Sequence, residues 1–107
     1  MLGLLGLGVR ARRAVVGVEQ VRNAAKRGVL RLAVVAPDAS PHSLDKVVPL
    51  LRAKRVHVVH GPSASVLGAA VGREATAAVG VVDADLAKGI RAIAEPDRHG
   101  GSRGGLS

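Results

Sequence analysis

Gly17-Val-Glu-Gln-Val-Arg-Asn-Ala-Ala-Lys-Arg-Gly28 and, after Val29-Leu-Arg31, Leu32-Ala-Val-Val-Ala-Pro-Asp-Ala-Ser-Pro41 form the stretch from which the fold is read. In the first segment Val18, Val21 and Ala25 recur at helical spacing while Arg22 and Lys26 share the other side, which predicts an amphipathic helix over 18–27. Gly17 precedes its first turn and Gly28 stands where a helix stops. The second segment opens as a short, continuous apolar run, the pattern of a strand covered on both faces. A basic helix that opens at a glycine brings the positive end of its dipole and the free N–H groups of its first turn to one place. Such a place suits phosphates.

Working outward, Leu2, Leu5 and Val9 predict a first helix over 3–13, with Arg10, Arg12 and Arg13 at the end where cations complement the dipole. Its three glycines Gly3, Gly6 and Gly8 weaken that helix. Ala14-Val15-Val16 reads as a very short strand. Ser40 is an N-cap with Pro41 in the first helical position of a helix over 41–54, which Pro49 is expected to bend or split. Residues 56–60 read as a second buried strand, Ser63 caps a short helix reaching Val71, 77–82 form a last strand, and Asp83 caps a helix to Ala94. Helices alternating with short strands define the α/β class, with a small sheet between helices. After Glu95-Pro96 the run Asp97-Arg-His-Gly-Gly-Ser-Arg-Gly-Gly105 has no apolar period, so 1–94 is expected to be one domain and 95–107 a flexible Gly/Arg-containing tail.

Composition narrows the function. Lys and Arg number 16 against 8 Asp and Glu, a formal net charge of +8, which favours a polyanionic partner. Phe, Trp and Tyr are absent, so the core is aliphatic, which argues against readers of single strands that stack bases on rings. Cysteine is absent too, which removes disulfides and thiolate chemistry and fits a reducing compartment. The apolar opening Met1 to Val9 has its charges after it rather than before, unlike a secretory signal. A cytoplasmic, unprocessed chain with no membrane partner is expected. Catalytic constellations do not assemble: Gly3, Gly6 and Gly8 break the dinucleotide order, His57 and His60 point to opposite faces of a strand, and Asp83 and Asp85 read as caps. Neither a cofactor, a metal nor an enzyme activity is expected.

The Gly17–Gly28 block, the Leu32–Pro41 block and Val66-Leu-Gly-Ala-Ala-Val-Gly72, in order and spacing, resemble the kink-turn-binding ribosomal proteins, and among them the small bacterial YlxQ-type members. The resemblance covers about residues 2–94. It implies a three-layer α/β/α sandwich with a small mixed sheet of about four strands. It also implies binding to the kink-turn, an RNA bend built on tandem sheared G·A pairs. The helix after the glycine would enter the groove beside those pairs, through Gly17, Val18, Glu19, Gln20 and Asn23. A loop comprising Arg73, Glu74, Ala75, Thr76 and Ala77 would cover the flipped-out bases. The family's pattern has Asn, Glu and a basic residue where this chain has Glu19, Gln20 and Asn23, with Arg22 and Lys26 as neighbouring cations.

The residues carry a chemical reading of their own. Guanine exposes an amino donor in the minor groove that Glu19 and Gln20 can accept, while Arg13, Arg22, Lys26, Arg27 and Arg31 can meet phosphates. Basic side chains are accordingly expected beside the helix tip. Plainer roles stay open: Glu19 as a dipole partner, Gly17 and Gly28 as helix punctuation, the 73–77 segment as a connecting loop, and Arg52, Lys54 and Arg55 as a helix end. The expected function is a monomeric, non-catalytic RNA-binding protein recognising kink-turn or ribosomal RNA, with ribosomal particles as a further partner. The alternative is a ribosome-associated structural or protein-interaction module that has lost specific kink-turn recognition.

Overall fold

The computed structural model describes residues 1–94; the segment 95–107, expected as a tail, lies outside the described residues. In chain order the elements are α1 (Leu2–Arg10), β1 (Ala14–Val16), α2 (Val18–Lys26), β2 (Leu32–Val35), α3 (Pro41–Ala53), β3 (His57–His60), α4 (Ala64–Ala70), β4 (Ala78–Val81) and α5 (Ala84–Ala94). The strands form one four-stranded sheet in the order β1-β4-β2-β3. β2 pairs parallel with β3, and β4 runs antiparallel between β1 and β2. The sheet is therefore mixed, with β1, β2 and β3 pointing one way and β4 the other.

Every residue of β2 and β4 is buried, because these central strands carry helices on both faces. Alternation along β2 divides the apolar side chains into two cores. Leu32 and Val34 face Leu5, Leu67, Ala87 and Ile90 from α1, α4 and α5; Ala33 and Val35 face Val21, Ala24, Ala25, Val47 and Leu51 from α2 and α3. This is the three-layer α/β/α sandwich that the sequence resemblance implies. With no Phe, Trp or Tyr in the chain, the layers close over small aliphatic groups, and the close approaches at Gly80 and Gly68 are among those that depend on glycine. A Cβ on Gly80 would lie 2.6 Å from Leu30 Cδ1 and 3.3 Å from Val21 Cγ2, so this glycine lets α2 settle onto β4. A Cβ on Gly68 would lie 2.5 Å from Ala75 Cα and 2.7 Å from its nitrogen.

The helix starts follow the caps legible in the sequence. Ser40 Oγ accepts from the Ser43 N–H at 3.2 Å, Ser63 Oγ from the Val66 N–H at 3.4 Å, and Asp83 Oδ2 from the Leu86 N–H at 2.8 Å. Two expectations change. α1 stops at Arg10 rather than at 13, because the chain reverses through Arg12 at φ 61° before entering β1. α3 is not split: it runs continuously through Pro49. Proline in a helix interior costs about 3 kcal/mol, but Val47 and Leu51 on either side are fully buried, at about 1.5–3 kcal/mol each, and hold the two halves on the sheet.

Two alanine substitutions separate space from propensity. Gly68→Ala forces a methyl onto the Ala75 backbone and should destabilise the protein by about 1–3 kcal/mol. Gly3, helical with no atom within 4 Å of a built Cβ, should gain about 0.5–1 kcal/mol on change to alanine. Urea titrations followed by far-UV circular dichroism read both, since the chain has no Trp or Tyr to report by fluorescence.

Candidate nucleic-acid interface

The end of the sheet toward which β1, β2 and β3 point gathers the starts of α2, α3 and α4 and the loop that enters β4. The pairing of Val16 with Val79 and the hydrogen bond from the Gly17 N–H to the Ala78 carbonyl, at 2.9 Å, fix the start of α2 against that loop. Gly17 has φ 99° and ψ 156°, a backbone state that is essentially restricted to glycine. Its conformation turns the chain from strand to helix, and no atom lies within 4 Å of where its Cβ would stand.

α2 differs from α3 and α4 in having no side-chain cap. The N–H groups of Val18, Glu19 and Gln20 are therefore the first-turn donors left for an outside acceptor. Glu19, Gln20 and Asn23 are exposed, and Gly17 and Val18 are half-buried. Glu19 Oε2 lies 3.9 Å from Lys46 Nζ of α3, an ion pair between exposed groups that adds little and exchanges readily for another partner. Arg22 is more committed: its guanidinium donates to the Lys46 carbonyl at 2.6 Å, which ties α2 to α3. Two stripes result, with Glu19, Arg22 and Lys26 toward α3 and Gln20, Asn23 and Arg27 toward the β1 edge. The second stripe lines a groove of about 290 Å³ whose other wall includes Arg12 and Val15.

The loop before β4 is pinned rather than slack. The Arg73 N–H donates to the Gly68 carbonyl at 2.8 Å and the Thr76 N–H to the Ala64 carbonyl at 3.0 Å. Arg73, Glu74 and Ala75 are exposed. Thr76 is buried, and its hydroxyl donates to the Ala78 carbonyl at 3.2 Å, so its side chain stabilises the loop from inside. Ala77 is half-buried, and its carbonyl accepts from the Ala36 N–H at 2.8 Å.

The structure does not bring all the candidate cations to this tip. Lys26 and Arg27 close α2, about 12 Å along the helix axis from Val18. Arg13 precedes β1 and lies at its far end, where its guanidinium stands 3.9 Å from Asp83. The expected cationic wall beside the tip is thus corrected: Arg22, Lys46 and Arg73 stay near it, and most of the cations lie at the opposite end of the sheet. There Arg10, Arg12 and Arg13 close α1, Lys26 and Arg27 close α2, Arg31 leads into β2, and Arg52, Lys54 and Arg55 close α3; all are exposed. Asp83 and Asp85, at the start of α5, are the carboxylates on that side. Glu19, Asp38, Asp45 and Glu74 sit toward the tip end with Lys46, Arg73 and Arg91, so charge there is nearly balanced. The chain is electrically polar along its strands.

Two members of this basic pole have unusual backbones. Arg12 (φ 61°) and Arg55 (φ 57°) occupy the left-handed turn that ends α1 and α3, the position that Gly28 and Gly72 fill after α2 and α4. The bonding is the same at both arginines. The Arg12 and Arg13 N–H groups donate to Val9 and Gly8, and those of Arg55 and Val56 to Arg52 and Leu51. A non-glycine residue there costs about 1–2 kcal/mol, more than the about 0.3–1 kcal/mol that an exposed cation gains from the helix dipole. Sequence inspection finds these arginines only as separate helix ends.

Among the described residues no group of three His, Asp or Glu side chains is placed to hold a metal ion, and no helix is long and apolar enough to cross a membrane. The fold is a small α/β/α sandwich that sets an uncapped helix beside a pinned loop. The family model for the ribosomal protein L7Ae/L30e/S12e/Gadd45 family matches residues 1–90, and the chain belongs to that family. Among solved structures it is similar to a protein of unknown function from Bacillus halodurans, with a TM-score of 0.80 and 31% identity over 88% of this chain and 95% of that one. It is also similar to a 15.5 kD RNA-binding protein of Giardia lamblia, with a TM-score of 0.75 and 21% identity over 89% of this chain and 84% of that one. No curated protein sequence matches it significantly.

Gly17→Ala tests the turn that aims α2. With open space around it, any loss reports backbone strain alone, expected at about 1–3 kcal/mol. Each kcal/mol should lower Tm by about 4–8 °C in thermal melts followed by circular dichroism.

Proposed function

We propose that this chain is a non-catalytic, cytoplasmic RNA-binding protein that recognises a kink-turn or a similar bend containing G·A pairs, in ribosomal or other structured RNA. The carrying observation is the uncapped, exposed start of α2 set beside the exposed part of the loop entering β4. Membership in a family of ribosomal proteins supports RNA as the partner, as does the likeness in fold to an RNA-binding protein. The first-turn N–H groups offer donors to a phosphate or base oxygen, and Glu19 and Gln20 offer acceptors to the guanine amino group. Asn23, one turn further along the groove, adds an amide that both donates and accepts. Arg73, Glu74 and Ala75 form the rim that would cover an extruded base. The tip carries carboxylates rather than excess cations, so its contribution is donor–acceptor matching more than charge.

A second reading, a ribosome-associated module without kink-turn specificity, rests on the neutral Asn23 where the family pattern has a cation. The two part in a titration of end-labelled kink-turn RNA against the same RNA with its G·A pairs replaced. Kink-turn recognition predicts clear preference for the first; equal affinities would leave the module reading. Gln20→Ala should weaken kink-turn binding about 5- to 150-fold and leave binding to the replaced RNA unchanged.

A further inference from the structure

We infer that the basic pole, at the opposite end of the sheet from the α2 tip, is a second nucleic-acid contact that holds the phosphodiester backbone of an RNA double helix without reading its sequence. The inference rests on RNA as the partner but not on kink-turn recognition by the tip. Its first support is the distribution of charge. The surplus that marks the whole chain, +8, is concentrated where three helices end, so a ligand confined to the tip would leave most of it unused.

The second support is the backbone of Arg12 and Arg55. Cations at helix ends are ordinarily explained by the dipole, but at these two positions the strain of a left-handed arginine exceeds what the dipole returns. Glycine performs the same turn without strain at the ends of α2 and α4. Neither the turn nor the dipole therefore accounts for arginine rather than glycine at these two positions.

The third support is shape and chemistry. Arg12 lies at the β1 edge and Arg55 at the β3 edge, three strand spacings apart, so the pole is about 14 Å wide. A nucleic-acid duplex carries about one charge per 1.7 Å of axis, so that width meets several phosphates at once. All of the pole's cations except Lys26 and Lys54 are arginines, whose planar forks bind phosphate oxygens in pairs. The groove lined by Gln20, Asn23, Arg27 and Arg12 runs from the α2 tip toward the pole and provides a path for one RNA to touch both. A membrane surface fits less well. Among the described residues the exposed large apolar side chains are Leu7, Val66 and Ile93; Leu7 and Val66 line one shallow pocket between α1 and α4, and two aliphatic groups without an aromatic anchor are too little to seat in a bilayer.

The test uses the full chain with Arg12→Gly and Arg55→Gly combined. Glycine suits both turns, so circular dichroism melts should show stability equal to or above that of the parent; an Arg12→Asn/Arg55→Asn pair serves if the glycine pair fails to fold. Binding is measured against a plain RNA duplex and against a kink-turn RNA with flanking stems. Loss of two phosphate contacts should weaken both by about 25- to 60-fold at about 0.1 M salt and reduce the log–log salt slope by about 1.4–1.8. Unchanged affinity and slope for the plain duplex would overturn the inference. So would a loss confined to the kink-turn RNA, which would assign these arginines to the tip. Loss of binding to phosphatidylserine vesicles with duplex binding intact would overturn it in favour of a membrane. If the parent chain fails to distinguish kink-turn RNA from its G·A-replaced partner, the tip reading falls while the duplex measurement still decides the pole.

Discussion

The antiparallel pairing of β2 with β4 is the contact on which the rest of the molecule depends. Both strands are buried along their whole length, so each residue belongs to one of the two cores, and a slip of one position would exchange Leu32 and Val34 with Ala33 and Val35 between them. The same register sets the α2 tip. β4 carries the Ala78 carbonyl that receives the Gly17 N–H and the Gly80 gap into which Val21 and Leu30 pack. Held at both its turn and its underside, α2 keeps its first-turn donors in one direction, which is what the proposed recognition by hydrogen-bond geometry requires.

Concentrating most of the cations at one end of the strand axis gives the two ends different physics. At the tip, the proposed RNA contact would be selected by matching donors and acceptors over short distances and would respond weakly to salt. At the pole, the inferred attraction for a polyanion would act over about 8–10 Å at ordinary ionic strength and fall steeply as salt rises. The dipoles of α1, α2 and α3 run parallel to this division, since their positive ends lie toward the tip and their negative ends among the arginines. This orientation lets the tip accept an anion with few basic side chains nearby.

Much of the architecture is legible residue by residue. Ser40, Ser63 and Asp83 mark helix starts because a short oxygen-bearing side chain can reach the orphan N–H groups of the first turn, an interaction within three residues. The run at 32–36 declares a strand covered on both faces because no alternation is needed there. Pro49 misleads, since its local cost is outweighed by the burial of Val47 and Leu51, contacts made across the fold. Thr76 is another case: a polar residue in a loop reads as available, yet its hydroxyl is turned inward to the Ala78 carbonyl.

By itself the sequence determined the elements, their caps, the glycine before α2 and the total charge, because these follow from spacing and from interactions between near neighbours. Only the tertiary structure decided where that charge lies. A helix and the strand after it run in opposite directions, so Arg13, Lys26 and Arg27, close in the chain to Gly17, are carried a full element length away from it. The same folding joins them to Arg52, Lys54 and Arg55 from a distant part of the chain. Distance along a chain says little about distance in space once the strands have paired.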